Sequence, residues 1–254
     1  MTTKEFSARR IQACLNGNRS SRLSVSLPIT PEGLASDAGL AANLGFFSVH
    51  VHPRDDKGRE SLTSNCIGAA VTAIRAAAPS IEIGVSTGAW IEPDLAERIA
   101  AISSWKVLPD VASVNLFEHG ADRVIQCLLE KGIGIEAGLA TLRDAQILVQ
   151  LGLAKRCKRI LVEVHGQTPE DAVNSALEIE QFLHSKNIAT PQLHHGYEQA
   201  TWAVICAGFD RGHSVRIGLE DTEVLPTGST AASNEDLFTA VVALLQYEEP
   251  GSRS

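Results

Sequence analysis

The chain has 254 residues, 44% of them hydrophobic, enough to bury one large core, and α/β barrels of this size commonly form one domain. A net charge of −8 without any long basic run argues against a nucleic-acid or anionic-membrane surface. Five scattered cysteines (Cys14, Cys66, Cys127, Cys157, Cys206) lack CxxC spacing, Met1 to Arg10 is polar, and no apolar run reaches membrane-spanning length, so a soluble cytoplasmic protein with reduced thiols is expected.

Strands and helices alternate along the whole chain. A first strand is expected over Ile11–Leu15, ending in Asn16-Gly17. A helix opens at Thr30-Pro31-Glu32, where Thr caps, Pro takes the first turn and the acid favours the positive end of the dipole. The apolar stretch from Phe46 to His52 reads as the second strand, followed by a helix over Ser64–Ala78. Ile81–Ser86 and the helix Asp94–Trp105 form the third unit, Val111–Leu116 and Ala121–Lys131 the fourth. Ile133–Ala137 and Leu142–Leu151 form the fifth, Arg159–Val164 and a helix from Thr168-Pro169-Glu170 to His184 the sixth. Gln192–His195 with Glu198–Arg211 is the seventh, and Ser214–Leu219 with a helix starting near Asn234-Glu235-Asp236 the eighth. Gly45, Gly132, Gly152 and Gly212 sit where helices stop. Eight such units spell a (β/α)8 TIM barrel, expected as a single domain over 1–254. A doubly wound sheet would advertise a glycine-rich phosphate turn after its first strand, and the sequence has none.

Barrel chemistry lies at the C-terminal ends of the strands. Those ends carry Asn16; His50, His52 and Arg54; Ser86-Thr87-Gly88; Ser113 and Asn115; Glu136; Glu163 and His165; His194 and His195; and Arg216 with Glu220-Asp221. Side chains two apart on a strand point the same way, so His50 and His52 face one side, and Arg54 is expected to follow them, ready for an anion. Strands one and eight adjoin in a closed barrel and strand two lies one further on, which lets Glu220 approach both imidazoles. Two imidazoles and one carboxylate leave an open position, the catalytic pattern for zinc. Taken singly, the histidines also fit hydrogen-bonded barrel residues, and Glu220-Asp221 fits a helix cap.

His50-Val51-His52-Pro53-Arg54, Ser86-Thr87-Gly88, Ser113-Val114-Asn115 and Val215-Arg216-Ile217-Gly218-Leu219-Glu220-Asp221 occur in the order seen in the β-keto acid cleavage enzymes, which include 3-keto-5-aminohexanoate cleavage enzyme. The chain resembles that family from Asn16 to about Leu245. The resemblance implies a zinc-dependent barrel that condenses a β-keto acid with acetyl-CoA to give acetoacetate and a new acyl-CoA, a transferase with lyase-like C–C cleavage. It implies one Zn2+ per chain held by His50, His52 and Glu220, acetyl-CoA as co-substrate, and a homotetramer. Arg216 and Asp221 match a catalytic pair, Ser86 a residue that helps hold substrate, and Glu136 a further active-site acid. Arg54, Thr87, Gly88, Ser113, Asn115 and Asn16 fall at substrate-binding positions. The implied metal polarises the keto group; Arg216 holds the substrate carboxylate or aims Asp221 as a base.

The chain departs from the family in being shorter than many members, the difference falling between the fifth and seventh strands. Its chemistry is therefore expected to transfer better than its substrate, and Glu163, His165 and His195 are candidates for meeting a polar substituent. Backbone N–H groups of Leu225–Thr230 are a candidate phosphate contact, although a plain turn explains the same letters. Two other classes stay open: a metal-dependent barrel hydrolase or aldolase without CoA, and a non-catalytic small-molecule binding barrel. The sequence does not name the β-keto acid, nor separate zinc from other divalent metals.

Overall fold

The computed structural model describes residues 10–19, 26–165 and 168–247; the N-terminal segment through Arg9 lies outside the described residues. Among the described residues, eight parallel strands close into a barrel in sequence order, β1 pairing with β8. They are β1 (Ile11–Cys14), β2 (Ser48–Val51), β3 (Glu82–Ser86), β4 (Val111–Asn115), β5 (Gly134–Leu139), β6 (Arg159–Val164), β7 (Gln192–Gly196) and β8 (Ser214–Ile217). The intervening helices are α1 (Pro31–Asn43), α2 (Ser64–Ala77), α3 (Leu95–Ser103), α4 (Ala121–Glu130), α5 (Leu142–Gln150), α6 (Pro169–Ser185), α7 (Thr201–Asp210) and α8 (Asn234–Tyr247). This is the expected TIM barrel. No described helix is long and apolar enough to cross a membrane.

Five of the helices open on a side-chain acceptor, whereas α4 after Gly120 and α7 after Ala200 have no side-chain cap. The hydroxyls of Thr30 and Thr168 accept from Gly33 and Asp171 N–H, and the Asp94 carboxylate accepts from Ala96 and Glu97 N–H. Gly45, Gly132, Gly152 and Gly212 all adopt positive φ, as helix stops should.

Every strand presents two unlike faces. One carries β-branched and small apolar residues toward the helices: Val49, Val51, Ile83, Val85, Ile135, Ile160, Val162, Val215 and Ile217 are fully buried there. The other turns into the barrel, and in its lower half it is polar. Parallel register places Gln12 beside Ser48 and Arg216, Ser48 beside Glu82, and Glu136 beside Arg159. Gln12 Nε2 donates across the barrel to Glu136 Oε1 at 2.8 Å, and Arg159 Nε donates to the same oxygen at 2.6 Å. Arg159 and Lys158 both pair with Glu82. Breaking such a buried pair from one side costs about 3–5 kcal/mol, because the survivor keeps an uncompensated charge.

Most boundaries shift by a residue or two from expectation, and three differences bear on the site. β5 runs on to Leu139, so Glu136 lies mid-strand inside the barrel instead of at the rim. β8 stops at Ile217, which frees Gly218 to Asp221 to form a turn in which Asp221 and Thr222 N–H both donate to Gly218 O. A 3-10 turn, Glu198–Ala200, precedes α7 where a single helix was expected.

Closure between β1 and β8 depends on Gly218. A Cβ there would stand 1.8 Å from the Cys14 carbonyl oxygen, so the two backbones meet at van der Waals contact only because no side chain intervenes. Gly218→Ala is expected to destabilise the metal-free protein by about 3 kcal/mol or more in urea denaturation, since backbone and not a flexible side chain must yield. Wild-type stability in this variant would mean that the seam is looser than described.

Candidate active site

β2 carries His50 and delivers His52 just beyond its end. The Asn16 side chain fixes the His52 backbone from both sides, donating to its carbonyl and accepting from its N–H, each at 2.9 Å. The two imidazoles then face each other, Nε2 to Nε2, at 3.1 Å. From the turn after β8, Glu220 brings Oε1 to 3.4 Å from His52 Nε2 and Oε2 to 3.9 Å from His50 Nε2. Room for that carboxylate comes from Gly17, at φ +55°, where a Cβ would lie 2.3 Å from Glu220 Cγ.

These donor atoms suit a zinc-type ion. Four ligands about 2.0–2.1 Å from one centre stand roughly 3.4 Å apart along a tetrahedron's edges. The three separations bracket that length, and all three donor atoms lie within 4.8 Å of one another. Glu220 Oε2 is buried without a hydrogen-bond partner, as a group built to meet a cation would be. Burial holds the His50 pKa well below its usual value, leaving a neutral ligand nitrogen. Burial also opposes charge on His52, but the Glu220 and Glu60 carboxylates outweigh it and raise its pKa to about 9.

Behind this group sits Arg216, 1% exposed. Its Nη2 donates to Glu220 Oε1 at 2.6 Å and to Asp221 Oδ1 at 3.1 Å, while its buried Nε–H has no partner. Burial disfavours the guanidinium charge, yet Asp221 and Glu220 more than offset this and hold its pKa well above normal. Conversely, Arg216 overcomes burial to keep both carboxylates below their usual range, with His52 and His50 helping at Glu220 and His195 at Asp221. Asp221 also accepts from the Cys14 thiol at 2.8 Å and meets His195 Nδ1 at 3.3 Å. His195 in turn lies 3.6 Å from Glu163 through Nε2.

A cavity of about 390 Å³ opens above these residues. Of the predicted site residues, His50, His52, Arg216, Glu220, Ser113 and Asn115 line it, together with Glu163 and His165. Asp221 does not line it and stands behind Arg216. Ser86 accepts from Gly88 N–H, and Thr87 donates to Ser113 O, so both hydroxyls brace the loops around the cavity. Arg54 departs from its expected place beside the histidines. Its guanidinium donates to the carbonyls of Gly58, Gly17 and Arg19 and ties two loops together. Glu136 lies below the cavity, its Oε2 3.9 Å from His50 Nδ1, and burial raises its pKa. The Leu225–Thr230 loop closes on itself: Leu225 N–H donates to Ser229 O and Gly228 N–H to Leu225 O, so these two donors are not free for phosphate.

His194 faces away from the barrel. It stacks on His213 at 4.4 Å and 4°, with Glu180 close by. Imidazole lone pairs lie in the ring plane, so two parallel stacked rings cannot converge on one ion, and Arg211 already holds the other Glu180 oxygen at 2.6 Å.

Sequence reasoning missed Glu60, Trp90 and Cys14. Glu60 Oε1 lies 2.5 Å from His52 Nδ1, and the Trp90 indole N–H donates to both Glu60 oxygens at 3.2 and 3.1 Å. The available signal was Asp55-Asp56-Lys57-Gly58, a turn able to bring Glu60 back to the end of β2.

The beta-keto acid cleavage enzyme family model matches residues 10–249. Among solved structures, a ternary complex of ObcA with C4-CoA adduct and oxalate superposes with a TM-score of 0.66 at 15% identity, over 87% of this chain and 63% of that one. A binary complex of ObcA with oxaloacetate gives 0.64 at 15% identity over the same shares. The 3-dehydroquinate dehydratase from Geobacillus kaustophilus HTA426 gives 0.60 at 15% identity, over 94% of this chain and 91% of that one. At such identities the likeness is one of fold, and this chain spans under two thirds of the ObcA length. The family match over nearly all of the chain, with the motifs on β2, β3, β4 and β8 gathered round one cavity, places the protein in the beta-keto acid cleavage enzyme family.

Proposed function

We propose that the protein is a zinc-dependent β-keto acid cleavage enzyme that uses acetyl-CoA, releasing acetoacetate and the CoA ester of the remaining acyl group. The observation that carries this reading is the convergence of His50, His52 and Glu220 beside the buried Arg216 at the base of one cavity. His50 and His52 through Nε2, and Glu220 through its carboxylate, would hold the ion. When bound, it supplies Lewis acidity toward a carbonyl.

The remaining roles belong to the chain. Arg216 keeps its charge throughout and lines the cavity, a cation suited to a substrate carboxylate. Asp221 stays ionised against Arg216 and orients the guanidinium, acting on substrate only through it. Ser113 and Asn115 present polar groups on the opposite wall. Ser86, Thr87 and Asn16 hold the surrounding loops, and Glu136 supports His50 from below. A second groove of about 1,020 Å³ shares Arg19 and Trp90 with the cavity, giving space for a long co-substrate; Lys57 and Arg59 line it together with Asp55, Asp56, Glu60 and Glu92.

The test is mass-spectrometric detection of acetoacetate and new acyl-CoA from zinc-loaded protein with acetyl-CoA and a panel of β-keto acids. Both products are expected together from at least one panel member. Turnover of panel compounds that ignores acetyl-CoA would point to a metal-dependent hydrolase or aldolase instead. Elemental analysis after dialysis is expected to give about one zinc per chain, lost in the His50→Ala, His52→Ala double variant; unchanged zinc there would refute the ligand assignment. Asp221→Asn is expected to lower kcat by about 100-fold, the scale of a misplaced substrate-holding group, because Arg216 loses the charge that orients it; unchanged turnover would remove Asp221 from the mechanism.

A further inference from the structure

Beyond the metal ligands, the loops after β2 and β3 meet at one carboxylate. Residues 54–60 fold back as a closed hairpin. Arg54 and Glu60 form an antiparallel bridge, Asp55 N–H donates to Arg59 O at 2.7 Å, and Gly58 turns the corner at φ +75°. The Asp55 side chain accepts from the N–H groups of Lys57 and Arg59, stiffening the turn. This hairpin returns Glu60 to the end of β2, where Oε1 lies 2.5 Å from His52 Nδ1.

The opposite side of Glu60 is held from β3. The Trp90 ring lies flat over Gly88, where a Cβ would stand 2.3 Å from the indole, and its N–H reaches both Glu60 oxygens. The same ring stacks over His52 at 6.2 Å and 20°. Glu60 thus has a donor on each side.

From this geometry we infer that Glu60 is a positioning residue for the metal centre: it accepts the His52 Nδ1 proton, fixes the ring's orientation and leaves the Nε2 lone pair turned toward His50 and Glu220, while Trp90 locks the carboxylate. The inference rests on the metal reading above. A carboxylate behind a ligating imidazole raises its basicity and restricts its rotation, and losing such a partner typically weakens metal affinity by about 10–100-fold. Glu60 does not itself line the cavity at the candidate metal ligands, so its contribution there acts through His52.

Zinc affinity measured by chelator competition tests this on the full chain. Glu60→Gln is expected to weaken zinc binding by about 10–100-fold while leaving the thermal midpoint of the metal-free protein unchanged, a split that a merely structural role would not produce. In amide-region NMR, the Trp90 indole N–H resonance, identified by its loss in Trp90→Phe, should shift on adding zinc to the wild type and respond less in Glu60→Gln. Trp90→Phe itself should weaken zinc binding by a smaller factor, and it decides the matter should Glu60→Gln not fold. Wild-type zinc affinity in Glu60→Gln, or in Trp90→Phe where that variant alone is soluble, would overturn this role and leave the metal reading standing. Absence of zinc binding by the wild type would overturn the metal reading and this inference together.

Discussion

The Arg216 guanidinium is almost wholly buried in the barrel, and its charge has to be answered on the spot. An uncompensated buried cation costs several kcal/mol. The chain answers with two consecutive carboxylates, Glu220 and Asp221, which reach the same Nη2 only because β8 leaves the sheet at Ile217 and turns back on Gly218. That early exit demands close contact between Gly218 and the Cys14 carbonyl, which closes the barrel seam. One charge therefore determines where the last strand ends, how the sheet closes and why Glu220 arrives ionised beside the two imidazoles.

The interior is organised by depth. Toward the N-terminal ends of the strands, Glu82, Arg159, Glu136 and Gln12 neutralise one another and form a polar floor. Above them stand His50, His52 and Glu220, with Arg216 and Asp221 alongside. Most charges at both levels are paired, while Arg216 Nε and Glu220 Oε2 are among the buried polar atoms left without a partner. The polar floor gives His50 a carboxylate neighbour beneath it without placing that carboxylate in reach of a ligand.

The barrel was legible in the sequence because the strands are short, largely apolar runs and most helices open on a cap residue, signals local enough to survive without tertiary knowledge. The pairing of His50 and His52 with Glu220 was legible for the same reason, once eight units implied that strands one and eight adjoin. Arg54 was misplaced because side-chain alternation holds only within a strand; β2 ends at Val51, and the chain then follows the hairpin. Glu136 was placed too high because an apolar run does not mark its own end, and the pairing of Asn115 with Gly138 carries β5 past it. His194 and His195 are adjacent, so one faces outward and the other inward, and only the register with β6 says which. Glu60 was invisible because its role comes from a turn and a partner thirty residues on, Trp90.

Gly17 has a further consequence. It lies far from Glu220 in the chain, makes none of the candidate metal contacts and carries no functional group, yet the volume of its missing side chain is the volume that the Glu220 carboxylate occupies. The two positions are therefore coupled: any side chain at position 17 would have to displace the acid at 220. Part of the site's inheritance is an empty space, and covariation between these two columns is where its history would be written.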